Sequence, residues 1–161
     1  MTGKIMKKLH SSFVAIFFAL FAMVSFTACS SDDDGPSSEE IKENIVGMWQ
    51  VTHISGWDYD DTEEENLIKV DKDIPEESSS RVMFKGDGTY RFYWYYDNGW
   101  QPESSTYTYE VSGNKIFFYD YDGDIEDTYT VISIKNNTAV LEVTLEEGPQ
   151  YKQRITCKRV S

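Results

Sequence analysis

Arg81-Val82-Met83-Phe84-Lys85-Gly86-Asp87-Gly88-Thr89-Tyr90-Arg91-Phe92-Tyr93-Trp94-Tyr95-Tyr96 is the stretch that decides the fold. Two runs of β-branched and aromatic residues flank Gly86-Asp87-Gly88, whose glycines supply the positive φ of a tight hairpin turn. The pattern predicts antiparallel strands over Arg81–Lys85 and Thr89–Tyr96. Side chains of a strand alternate between faces, so Tyr90, Phe92, Trp94 and Tyr96 share one face. Arg91, Tyr93 and Tyr95 share the other.

The same grammar repeats on both sides. Trp49-Gln50-Val51-Thr52-His53-Ile54 reads as a short first strand. Thr106–Val111 and Lys115–Tyr119 flank Ser112-Gly113-Asn114. Thr128–Ile134 and Ala139–Leu145 flank Lys135-Asn136-Asn137, and Tyr151–Val160 closes the chain. Leu141, Val143 and Leu145 alternate with Glu142 and Thr144; Val131-Ile132-Ser133-Ile134 does not alternate cleanly. Eight strands with short connections and no long crossovers exclude a parallel sheet. The expected fold is all-β, an antiparallel eight-stranded up-and-down barrel, which removes sheet edges by closure. A β-sandwich is the main rival. Residues 58–80 interrupt the pattern as an insertion of ten acids and two Lys. The insertion reads either as a solvated acidic lid beside the barrel mouth or as a functional lid, in which Leu67, Ile68, Val70 and Ile74 fold a short helix over the opening, since long loops are uncommon unless functional or disordered.

The N-terminal segment has a different grammar. Lys4, Lys7 and Lys8 precede the apolar run Phe13–Val24, which ends near the small residue Ala28. This is the layout of a secretory signal peptide, and the run is too short for a comfortable membrane span. Phe26-Thr27-Ala28-Cys29 resembles a bacterial lipobox, with Phe26 in place of the usual Leu. The resemblance implies cleavage before Cys29 and a diacylglycerol on its thiol. Ser30-Ser31-Asp32-Asp33-Asp34 resembles the acidic export tag of surface lipoproteins in Bacteroidetes-type bacteria. The expected organisation is a lipoprotein signal peptide (1–28), a flexible acidic tether (29–44) and a barrel domain (45–161). The expected location is the outer membrane, lipid-anchored at the cell surface.

Charge narrows the partners. Three of the 15 basic residues and none of the 28 acidic ones precede Cys29, so the chain from Cys29 onward carries −16. That excludes nucleic acid, whose phosphates need a basic face, and spreading on anionic lipid. All 11 Tyr and four Trp lie beyond the signal, and such amphipathic aromatics suit half-buried sheets and binding surfaces. With Cys29 lipidated, Cys157 has no disulfide partner and reads as a small core residue.

Gly47-Met48-Trp49 at the first strand, followed by Phe84-Lys85-Gly86-Asp87-Gly88-Thr89-Tyr90, resembles the lipocalin-like domains of bacterial lipoproteins over about residues 45–160. The resemblance implies that Gly47 and Trp49 form the barrel-floor motif, with a basic residue of the last strand (Arg154, Lys158 or Arg159) packed over the indole. It also implies one open end and a pocket for a small hydrophobic or amphipathic ligand, for which Tyr90, Phe92, Trp94, Phe118 and Leu141 are candidates. An eight-stranded barrel either fills with side chains or holds one small molecule, and the Tyr and Trp content favours filling. The alternatives are a place in an envelope complex, or a pocketless module meeting protein or glycan through Tyr93, Tyr95 and Trp100.

Catalytic chemistry has little to work with. His53 is the single His beyond the signal, and no activated nucleophile accompanies it. No enzyme activity and no cofactor are expected, and zinc lacks its ligands. The run Asp120–Asp127 offers Asp120, Asp122 and Asp124 as weak calcium candidates. Its spacing misses the EF-hand loop, so a hairpin turn with Gly123 at the bend is the better reading.

Overall fold

The computed structural model describes residues 35–60 and 66–161. The expected signal segment, Cys29 and the tether as far as Asp34 lie outside the described residues, as do residues 61–65 of the insertion.

Ten strands follow a helix. They are β1 (Gly47–Tyr59), β2 (Leu67–Asp73), β3 (Ser80–Phe84), β4 (Thr89–Tyr96), β5 (Gly99–Pro102), β6 (Tyr107–Ser112), β7 (Lys115–Tyr119), β8 (Ile125–Lys135), β9 (Thr138–Thr144) and β10 (Lys152–Arg159). Eight of them, β1, β3, β4, β6, β7, β8, β9 and β10, pair in sequence, and β10 returns to β1. The ring is closed and antiparallel throughout, the lipocalin-like architecture the sequence predicts. β2 and β5 stand outside the ring, on β1 and β4 respectively.

Closure depends on side-chain alternation, and three bulges adjust it, one of them between Phe118 and Tyr119 where β7 meets β8. In β8 the register shifts between Val131 and Ser133. The extra residue, Ile132, is exposed, while Val131 and Ile134 are both buried. A bulge sets two residues of one strand against one of its partner, which is why this segment does not alternate. A second shift between Val51 and His53 lets β1 run on to Tyr59, far beyond Ile54.

Two expectations are corrected here. Leu67, Ile68 and Val70 belong to a strand, β2, instead of a helix over the opening. The upper half of β1 has no β3 partner beyond Gln50, so its free edge captures this segment from His53↔Asp73 to Tyr59↔Leu67. Within 30–44, Ser38 onward forms a helix, α1 (Ser38–Ile45), instead of continuing as tether. The Ser37 hydroxyl accepts from the Glu40 N–H at 3.2 Å, and Glu39 and Glu40 sit in the positive first turn. Ile41 and Ile45, one turn apart, are fully buried.

α1 closes one end of the barrel. Ser38 donates to the Gly113 carbonyl of the β6–β7 turn at 2.9 Å, and Trp49 Nε1 donates to the Ile45 carbonyl at 2.6 Å. Trp49 is 2 % exposed, and the Arg159 guanidinium lies 4.5 Å from its ring centroid. Arg159 is thus the basic residue of the last strand that covers the floor Trp. Its guanidinium also donates to the carbonyls of Asn44 and Val46, so one side chain joins α1, β1 and β10.

Candidate functional site

Facing residues of an antiparallel ladder share a face, so the inner wall can be followed strand by strand. Gly47 faces Phe84, Phe84 faces Tyr90, Tyr90 faces Tyr107, Tyr109 faces Phe118, and Phe118 faces Asp127. Cys157 faces Val51 and Ala139, and Ile155 faces Leu141.

The floor half of this interior is solid. Phe84 packs on Tyr109 at 5.0 Å and on Phe118 at 6.0 Å, and Tyr90 packs edge-on to Phe118 at 4.9 Å. Ile116, Val131, Ile134, Ala139, Leu141 and Cys157 fill the rest. Burial pushes the Cys157 thiol up to about 12, so it is an inert core residue. Of the sequence-predicted ligand contacts, the rings of Tyr90 and Phe118 and the side chain of Leu141 all belong to this core. Leu141 stands on β9, diametrically across the ring from β4.

Towards the other end the aromatic wall continues beyond the filled zone. Tyr90 stacks on Tyr107 at 5.4 Å, Phe92 meets Tyr90 edge-on at 5.5 Å, and Trp94 stacks on Phe92 at 5.7 Å. Exposure rises along β4 from Tyr90 (2 %) to Trp94 (40 %). Tyr121, from the β7–β8 turn, leans on Tyr107 at 5.1 Å and is 71 % exposed. Sequence reasoning found Tyr90, Phe92 and Trp94 from strand alternation but missed Tyr107 and Tyr121. The alternation of Thr106–Val111 was a usable signal for Tyr107. Tyr121 lies in a turn, where no period applies.

Carboxylates rim this wall. Tyr107 donates to Glu103 Oε1 at 2.8 Å, and Tyr121 donates to the Tyr107 hydroxyl at 3.4 Å. These contacts hold the Tyr107 phenol well above its usual range, Tyr121 contributing first and Glu103 next. Asp127 extends the inner row beyond Phe118. Its carboxyl is held above the usual range by partial desolvation first and then by Glu126 and Glu146, although the residue as a whole is exposed. Burial likewise raises the Tyr90 phenol, with Glu126 and Asp127 adding to it. Tyr129, behind Phe118 at 5.3 Å, is pushed up to about 12, mainly by burial.

The other candidates lie elsewhere. Trp100 packs edge-on to Tyr95 at 5.4 Å, the Arg81 guanidinium sits 4.0 Å from its ring centroid, and its Nε1 donates to Glu76 at 3.1 Å. Tyr93 faces Arg81 and Pro102 on the same outer side. Trp100 is thus committed to fastening β5 against β3, with its ring face covered. His53 is held by Asp71 at 2.9 Å and Asp73 at 3.0 Å, one carboxylate per ring nitrogen. Asp120–Asp124 forms a hairpin turn with Gly123 at φ +84°. Asp120 Oδ1 accepts from the backbone N–H groups of Asp122 and Asp124, both at 2.9 Å. Among the described residues no three His, Cys, Asp or Glu side chains converge in metal-holding geometry.

Residues 45–141 match the lipocalin-like domain family. No curated protein matches the chain. Among solved structures, the chain is similar to the tryptamine complex of the amine binding protein of Rhodnius prolixus, at 14 % identity over 83 % of this chain and 72 % of that one, with a TM-score of 0.39. It is also similar to a selenomethionine derivative of a biogenic amine-binding protein, at 14 % identity over 86 % and 71 %, with a TM-score of 0.37.

Proposed function

The chain belongs to the lipocalin-like domain family, and from that premise we propose that it is a non-catalytic binding protein whose barrel takes a small ligand at its open end. The observation that carries this reading is the change along one inner wall. Below Tyr90 every aromatic is covered by another side chain; above it Phe92, Trp94, Tyr107 and Tyr121 continue the same surface into solvent. Burying such rings is favourable by about 25 cal/mol per Å². A ligand that covers them therefore gains at the mouth what the side chains of the filled half gain from one another.

A non-catalytic role is supported by the state of His53. Both of its ring nitrogens are engaged by carboxylates of β2, which hold the ring in place. We also propose that lipid on Cys29 holds the barrel at the outer-membrane surface, on the strength of the lipobox-like Phe26-Thr27-Ala28-Cys29.

The test is mass spectrometry of small molecules released on denaturing the purified protein, compared with the Phe92→Ala variant. A molecule retained by the parent and lost from the variant is the expected result. If nothing is retained, and no member of a chemically mixed library raises the melting temperature, the binding reading fails.

A further inference from the structure

We propose that the mouth of the barrel recognises an organic cation, an ammonium group carried on a flat apolar body, with Trp94, Phe92 and Tyr107 covering the body and Glu103, Asp127 and the Tyr90 hydroxyl receiving the charge. This inference rests on the ligand-binding reading above and assigns the chemical class of the ligand.

Three independent features converge on it. First, Tyr90 is 2 % exposed, and its hydroxyl has no hydrogen-bond partner among the described residues. Among the described residues no wholly buried side-chain N or O atom lacks a partner, so this hydroxyl keeps some contact with solvent. An unpartnered phenol at the bottom of an aromatic wall accepts a hydrogen bond from an N–H donor that arrives there. Second, Glu103 and Asp127 flank the same wall. Neither forms an ion pair among the described residues, whereas Glu142 of β9 is paired with both Lys152 and Arg154. Tyr107 donates one hydrogen bond to Glu103, which leaves the remaining lone pairs of that carboxylate open. Third, the wall presents π faces, whose negative potential attracts cations.

Competing ligand classes fit less well. A neutral apolar ligand would strip water from Asp127 and Glu103 without replacing it, and a carboxylate buried without a partner is costly. An anion would meet Glu103, Asp127, Glu126 and Glu146 together in a chain of formal charge −13. A cation returns a partner to the carboxylates as its apolar body covers the rings.

The experiment is calorimetric titration of the purified chain with three probes of matched size: 2-phenylethylamine, 2-phenylethanol and 3-phenylpropionate. The amine should bind at least about tenfold more tightly than the alcohol, the carboxylate should bind most weakly, and the amine should weaken as salt is raised. Asp127→Asn and Glu103→Gln should each remove most of the amine's advantage while leaving the alcohol unchanged. Both substitutions keep the side-chain shape, and an unchanged melting temperature confirms the fold. Equal binding of amine and alcohol, or a preference for the carboxylate, overturns the cation class while the binding reading stands. No binding of any probe at millimolar concentration, together with no retained molecule in the mass-spectrometric test, overturns both.

Discussion

Gly47 and Arg159 meet at one point of the barrel floor, and each constrains the other. Gly47 has φ +130°, and a Cβ added there would come within 2.5 Å of Arg159 Nη1 and 2.8 Å of the Ser161 carbonyl oxygen. The glycine of the Gly-x-Trp pattern thus makes room for the guanidinium that covers Trp49. Gly47→Ala combines this collision with backbone strain and should cost about 1–3 kcal/mol in urea denaturation. His53 offers a second test at this scale. Hydrogen bonding to Asp73 contributes most to raising its pKa above the ordinary 6.5, with Asp71 reinforcing it. A folded-state pKa raised above the unfolded one gives stability that is complete below the unfolded value and lost as pH rises through the folded value. The ring's NMR titration midpoint should therefore lie above 6.5 and fall in Asp73→Asn. The small stabilisation should fade on the alkaline side of that midpoint and be absent in His53→Gln.

At the scale of elements, α1 is the piece that most changes the description of the chain. Ile41 and Ile45 seal the floor, so Ile41→Ala should destabilise by about 2–5 kcal/mol, read as a lower urea midpoint. A result near zero would mean that the helix merely rests on the barrel. The helix was legible in Ser37, Glu39, Glu40 and the Ile41/Ile45 spacing, but the surrounding Ser and Glu masked so short an apolar stripe. The eight ring strands were readable because their glycine and asparagine turns punctuate regular alternation. β5 had its own signal in Asp97-Asn98, whose positive φ values of 52° and 59° make a two-residue hairpin. β2 had none. Its acidic, weakly alternating sequence becomes a strand because β1 outruns β3 and offers an unpaired edge, which is a tertiary fact. The candidate site was half legible for the same reason: β4 carries its aromatics in strict alternation, whereas Tyr121, Glu103 and Asp127 are brought to the mouth by turns and by closure.

For the whole molecule, two properties act together: a core filled from the floor to Tyr90, and a strongly acidic exterior. Without a disulfide among the described residues, stability rests on that core and on the closed ladder. The proposed lipid anchor makes a separate prediction. Metabolic labelling with a palmitate analogue should tag the parent chain and not Cys29→Ser, and the variant should leave the membrane fraction. α1 spans ~12 Å at 1.5 Å per residue, and it crosses the floor from the β6–β7 turn to the start of β1. The carbonyl of Ser161 is held at the same end by the Met48 N–H at 2.8 Å. Both ends of the described barrel therefore leave through its sealed base. The rim formed by Trp94 and Tyr121 stands at the opposite end, presented to whatever diffuses past.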